Sequence, residues 1–332
     1  VAVEEHFSHL AANPGGTPGT DLSRMVKAMD YDASWMRLVE ERLTEIGEQR
    51  LAEMDAHGID VCVLSHTVPG PQGIAGAAGA VAAARDINDA LAAAIAAHPT
   101  RFAGFASVAL QDAPAAAREL ERCVSSLGFK GVMVNGYTDA AAGRDVAYLD
   151  DPACLPFWEA AAALRVPVYL HPRPPLDRRS YAGHPELLGA TWGFAPETAT
   201  HALRLVYSGL FDRFPALSVV LGHLGETLPA FAWRIQHCFE YNPSDKRVAR
   251  RLQDYLADNF FVSTSGHFSD QALINAVLTI GADRVLFAVD YPYETMGPAA
   301  DWIERAPISE IDRRKIAHLN ARRLLGLSEP PR

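Results

Sequence analysis

Eight short runs rich in apolar and β-branched residues recur along this chain, each divided from the next by a longer segment with helical spacing. They are Val1–His6, Val61–Thr67, Phe102–Leu110, Gly131–Gly136, Val166–His171, Ser218–His223, Phe260–Ser265 and Arg284–Asp290. Most are near-continuous, as in Val166-Pro167-Val168-Tyr169-Leu170, a pattern that suits a strand covered on both faces. Helical patterns occupy residues 36–57, 79–98, 113–126, 154–164, 196–210, 227–240, 268–281 and 309–325. Strict alternation of eight strands with eight helices predicts an α/β fold, a parallel (β/α)8 barrel of the TIM type. No repeat or linker divides the chain, so residues 1–332 are expected to form one domain. Two insertions, about 11–33 and 172–196, leave the C-terminal ends of the first and fifth strands, where such barrels build their sites.

Composition removes several classes. A net charge of −10 disfavours a nucleic-acid partner. The apolar run near residues 90–97 is too short and too alanine-rich for a membrane span. The first residues have no basic region followed by an apolar core, and the four cysteines are far apart without a CxxC pair. A cytoplasmic enzyme is expected. The Gly/Ala segment from Gly70 to Ala84 lacks the Gly-Lys-Ser/Thr ending of a phosphate loop and is read as a loop entering a helix.

The chemistry lies at the strand ends. Alternation along the first strand puts Glu4 and His6 on one side, the fifth strand ends in His171 and the eighth in Asp290. Two imidazoles and two carboxylates from three strands can converge on one divalent cation, Zn²⁺ or Mn²⁺. Each residue alone could as well be structural; together they are hard to bury without a cation. His223 ends the sixth strand and Glu226 follows about one turn on, either as a carboxylate orienting a general acid–base histidine or as a helix-start residue facing the dipole. Arg50 falls seven residues after Leu43 and four after Ile46, on the inward stripe of the first helix. Its partner is then a substrate carboxylate or a structural acid. His66 is a candidate support for the metal site, and His184 and His267 are candidate lining residues. His9, His98, His237 and His318 are read as surface or satisfied core residues.

Val1-Ala2-Val3-Glu4-Glu5-His6-Phe7, the run from Met54 to Ile59, Val134-Asn135-Gly136, Tyr169 to Arg173, Leu221 to Glu226, and Phe287 to Pro292 together resemble the non-oxidative decarboxylases of the amidohydrolase superfamily. The similarity is greatest to γ-resorcylate (2,6-dihydroxybenzoate) and 2,3-dihydroxybenzoate decarboxylases and runs nearly end to end. It implies one Mn²⁺ or Zn²⁺ per subunit on Glu4, His6, His171 and Asp290, with His223 and Glu226 as a catalytic pair. It also implies an arginine matching Arg50 near the substrate carboxylate, and Asn135, Phe194 and Arg234 near the pocket, Arg234 at a subunit interface; the expected acid is Asp290 in its protonated form or a water held by it. The expected ligand is a small aromatic carboxylate, and the expected assembly a homodimer or homotetramer. The chain departs from the resorcylate enzymes in a longer segment between His9 and Trp35, and in His66, where they carry an apolar residue. The expected reaction is release of CO2 from an ortho-hydroxylated aromatic acid. The alternative is a one-metal hydrolase or hydratase. Two-metal hydrolases of the superfamily often use His-x-His on the first strand and a modified Lys ending the fourth. Here the positions hold Glu4-x-His6 and Asn135-Gly136.

Overall fold

The computed structural model describes residues 1–9, 28–139, 146–242 and 248–328. Eight parallel strands stand in chain order around one sheet: β1 (Ala2–Phe7), β2 (Cys62–His66), β3 (Phe102–Ala106), β4 (Gly131–Asn135), β5 (Val168–His171), β6 (Val219–Leu221), β7 (Phe260–Ser263) and β8 (Val285–Leu286). The backbone closes the barrel between β1 and the residues after β8, through Val3 N–H to Phe287 O at 3.2 Å and Asp290 N–H to Glu4 O at 3.0 Å. The (β/α)8 expectation is met, with all strands but β1 shorter than the apolar runs that announced them.

The barrel interior is filled by Val3, Val63, Phe105, Met133, Tyr169, Val220, Phe261 and Leu286, and Ala321 and Leu325 pack against this set. Residues one step along each strand point outward and pack under the helices, as Leu64, Val132, Leu170 and Leu221 do. Because side chains alternate, Tyr169 inside places His171 inside as well, one layer nearer the mouth. On β1 a register irregularity between Ala2 and Glu5 lets Glu4 face inward directly after Val3, and from there alternation turns Glu5 outward and His6 inward.

The helices are α1 (Ala33–Leu43), α2 (Glu48–Ala56), α3 (Ala77–Ala97), α4 (Ala113–Ser125), α5 (Leu155–Leu164), α6 (Phe194–Tyr207), α7 (Leu228–Glu240), α8 (Leu252–Asn259), α9 (Asp270–Ile280) and α10 (Met296–Arg305), followed by helical turns from Glu310 to Leu325. The single helix expected over 36–57 is two. Gly47 interrupts it, and the Glu45 carboxylate accepts the Gly47 and Arg50 N–H groups to start α2. α8 and α10 were not anticipated, because short helices between strong strand signals leave little periodicity to read.

His201, within α6, is buried, and its Nε2 accepts the Leu149 N–H at 2.9 Å. Burial pushes its pKa down to about 3. The unfolded chain therefore binds a proton that the folded one refuses between pH 6.5 and about 3. Its contribution is whole above pH 6.5 and falls by about 1.4 kcal/mol per unit as pH drops through that window. Urea unfolding at stepped pH should show a shallower acid loss for His201→Gln than for the parent; equal slopes would remove His201 from the acid response.

Candidate metal centre and active site

Four side chains meet at the mouth of the barrel. One donor atom from each of Glu4, His6, His171 and Asp290 lies within 4.8 Å of the other three. His6 Nε2 stands 3.2 Å from Asp290 Oδ1 and 3.9 Å from Glu4 Oε1, and His171 Nε2 stands 3.5 Å from Glu4 Oε1. Glu4 Oε1, His6 Nε2 and Asp290 Oδ1 are buried without hydrogen-bond partners among the described residues. Three orphaned donors around one point are costly unless a cation engages them. The set of two carboxylates and two imidazoles suits one divalent metal.

The remaining atoms of these side chains are tied down. Glu4 Oε2 accepts the Tyr169 hydroxyl and the Ser263 hydroxyl, the latter at 3.1 Å, which leaves Oε1 aimed at the cluster. His6 Nδ1 pairs with Ser65 Oγ at 3.3 Å. Burial, then the neighbouring His6, holds His171 well below the ordinary histidine pKa, so it stands neutral with a lone pair to give. Gly222 passes so close that an added Cβ would sit 3.0 Å from Glu4 Oε2 and 3.2 Å from Ser265 Oγ. Gly222→Ala should weaken metal binding roughly 10–100-fold, the range for disturbed support around a ligand. Metal titration of the folded variant checks this, and parental affinity would show the crowding to be harmless.

Beside the cluster the backbone enters an unusual turn. His223, Leu224, Glu226 and Thr227 all have positive φ, between 51° and 70°, with Gly225 at 87°. Such residues cost on the order of 1 kcal/mol or more each and gather where a fold must aim a side chain. The turn brings Glu226 Oε1 to 2.7 Å from His223 Nδ1 and points His223 Nε2 toward Asp290 Oδ2, 3.7 Å away. Glu226 is therefore not a helix-start residue, since α7 begins at Leu228. Burial disfavours the imidazolium, but the Glu226 carboxylate and Asp290 outweigh it and hold His223 well above the ordinary histidine range. Burial likewise opposes the Asp290 carboxylate, and contacts from His223 and His6 reverse this and keep it well below the usual range.

A cavity of about 220 Å³ lies over these groups, walled by Met29, Tyr31, Trp35, Phe194 and Tyr293 with His171, His223 and Asp290 at its floor. It opens into a wider cleft of about 680 Å³ lined in part by Trp192, Phe231 and His267. Met29, Tyr31 and Trp35 come from the end of the long segment after β1, which was expected to line the site; residues 11–27 of that insertion lie outside the described residues. Among the described residues, no lysine or arginine lines either space.

Phe194 stands on the wall, whereas Arg50, Asn135 and, within a single chain, Arg234 line neither cavity. Arg50 is wholly buried away from both cavities. Its Nη2 donates to the His6 carbonyl at 2.6 Å and its guanidinium lies over the Tyr291 ring at 4.7 Å. The break at Gly47 voids the register that linked it to Leu43, and α2 carries its own inner stripe of Arg50 and Met54. Asn135 is buried at the end of β4, beside His171 in register, with Nδ2 donating to the His66 carbonyl at 3.5 Å; it reaches neither wall. Arg234 is exposed on α7 and lines neither space.

His66 is buried and bonds to the Thr67 carbonyl at 2.9 Å, packed edge-on against Phe7, rather than to a ligand of the cluster. His184 pairs with Glu186 on the surface, while His267 lines the cleft and reaches the His223 carbonyl at 3.3 Å. Tyr169, Ser263 and Ser265 were missed. Period-two alternation from His171 would have found Tyr169, but serines carry no comparable sequence signal.

The amidohydrolase family profile matches residues 6–327. The gamma-resorcylate decarboxylase of Rhizobium sp. is 47% identical over 334 residues, covering 98% of each chain. A solved 2,6-dihydroxybenzoate decarboxylase in complex with 2,6-dihydroxybenzoate superposes with a TM-score of 0.90 at 44% identity, over 98% of both chains. A dihydroxybenzoic acid decarboxylase from Polaromonas sp., solved with bound manganese and the inhibitor 2-nitroresorcinol, gives a TM-score of 0.90 at 45% identity over 99% of this chain and 97% of that one. With its barrel, its four-donor cluster and these relatives, the chain belongs to the amidohydrolase family.

Proposed function

We propose that this protein is a carboxy-lyase that releases CO2 from an ortho-hydroxylated benzoate, with one divalent ion held by Glu4, His6, His171 and Asp290. The observation that carries the reading is that His223, paired with Glu226 behind it, and Asp290 lie on the floor of an aromatic-walled cavity, directly beside the donor cluster. The ion, Mn²⁺ by analogy with the Polaromonas neighbour or Zn²⁺ by its taste for imidazole, supplies Lewis acidity toward a phenolic oxygen and a carboxylate.

The chain's own groups do the rest. Phe194, Tyr31, Trp35 and Tyr293 hold a single ring and keep water from it. Asp290, ionised in the resting site, takes a proton from the facing His223 once substrate is bound and delivers it to the ring carbon that bears the carboxylate. That carbon becomes tetrahedral, its bond to the carboxylate then breaks, and the electron pair returns to the ring as CO2 leaves. His223, kept cationic by Glu226 and facing Asp290, holds the proton that replenishes it and steadies negative charge on the phenolic oxygen. With no described arginine or lysine on the walls, positive charge for the substrate comes from His223 and the ion.

Two further elements belong to this reading. The exposed Phe231, Trp233 and Tyr241 beside Arg234 on and just after α7 support a homodimer or homotetramer, which sedimentation would resolve. Free, buried Cys62, Cys123 and Cys154 suit a cytoplasmic setting. The chemical test is a panel of benzoates with and without an ortho hydroxyl, offered to metal-loaded protein and scored for CO2. Turnover confined to ortho-hydroxylated members is expected. Hydrolysis of an amide or lactone, with no CO2 from any benzoate, would replace the lyase by a one-metal hydrolase.

A further inference from the structure

Glu5 is a wholly buried carboxylate on the face of β1 opposite the cluster, and the mechanism above gives it no task. Its two oxygens accept the two main-chain N–H groups that flank Asp290: Val289 N–H at 2.9 Å and Tyr291 N–H at 3.3 Å. The Asp290 N–H between them donates to the Glu4 carbonyl at 3.0 Å. Three consecutive amides are thus fixed to two consecutive residues of β1. Asp290 itself has φ of 78°, in the left-handed region that few non-glycine residues occupy. Its carbonyl then accepts the Glu294 N–H at 3.0 Å, and the Tyr291 carbonyl accepts the His6 N–H at 2.6 Å. β8 ends at Leu286, so no regular ladder holds this segment.

We infer that Glu5 is a positioning residue for decarboxylation, which clamps the Val289–Tyr291 segment and so aims the Asp290 carboxylate at both the ion and the substrate. This inference rests on the function proposed above. Arg50 completes the clamp from outside the barrel: it donates to the His6 carbonyl and covers the Tyr291 ring, so both strands meeting at the seam are gripped. A carboxylate suits the task because its two oxygens can serve two amides at once. A carboxamide has one acceptor, and its NH2 would face an N–H donor.

The test is Glu5→Gln in the full chain, loaded with Mn²⁺ and compared with the parent by metal content, the paramagnetic resonance spectrum of the bound ion, and kcat and KM on 2,6-dihydroxybenzoate. We expect a folded protein with one bound ion, an altered Mn²⁺ spectrum, kcat lower by roughly 10–100-fold, and KM nearly unchanged. Glu5→Asp, which keeps two acceptors on a shorter stem, should recover part of the loss. A folded Glu5→Gln protein with the parental spectrum and kcat would overturn the inference. If Glu5→Gln does not fold, the Glu5→Gln/Arg50→Met pair removes both buried charges together and is read by the same criteria. The spectrum reports on Asp290 without turnover. A parent that binds Mn²⁺ yet releases no CO2 would therefore defeat the proposed function, while the spectral comparison would still judge the clamp.

Discussion

Asp290→Asn should fold, keep part of its metal affinity, and lose decarboxylation by about 10³-fold or more, equivalent to at least about 4 kcal/mol of transition-state stabilisation. Asparagine preserves the shape of the side chain and one oxygen for the ion. It cannot pass a proton to carbon, and it removes the charge that faces His6 at 3.2 Å and His223 at 3.7 Å. General acid–base groups commonly contribute 10²–10⁴-fold, and Asp290 adds a metal contact to that role. Single-turnover assays of metal-replete protein are the check. Near-parental rates would take Asp290 out of the chemistry and leave it a ligand alone.

The second large effect concerns stability. Arg50→Ala should lower it by about 3–5 kcal/mol, the range for breaking a buried charged contact, and the melting temperature by several degrees. The substitution strips the His6 carbonyl of its donor, opens space against Tyr291, and removes the positive charge nearest the buried Glu5. The sequence and the resemblance together put Arg50 near a substrate carboxylate, with a structural acid as the alternative partner. Burial of the whole side chain decides for the architecture. Chemical denaturation alongside steady-state kinetics distinguishes the two. An Arg50→Ala protein with parental stability and a raised KM for benzoates would restore the substrate role.

The barrel was legible because strands buried on both faces must be apolar along their length, and eight such runs alternating with helices fit a parallel barrel. The donor cluster was legible for a related reason: Glu4, His6, His171 and Asp290 interrupt apolar strands at their C-terminal ends, the end at which such barrels build their sites. Partnership between His223 and Glu226 was readable from spacing, but the left-handed turn that creates it was not, since only Gly225 in that run signals positive φ. Arg50 was misplaced because a helical stripe was carried across Gly47, where the backbone breaks register. Glu5 was passed over because a pattern tells which face of a strand a residue occupies, and not which amides it meets there.

Metal-dependent carbon–carbon cleavage at the Glu4/His6/His171/Asp290 cluster is the central claim. Its most direct test is CO2 release from 2,6-dihydroxybenzoate by one preparation assayed as isolated, after chelator treatment, and after return of Mn²⁺. Activity that follows metal content toward one ion per subunit, vanishes in the stripped protein and returns with Mn²⁺ is the predicted result. Undiminished CO2 release from folded, metal-free protein would contradict it.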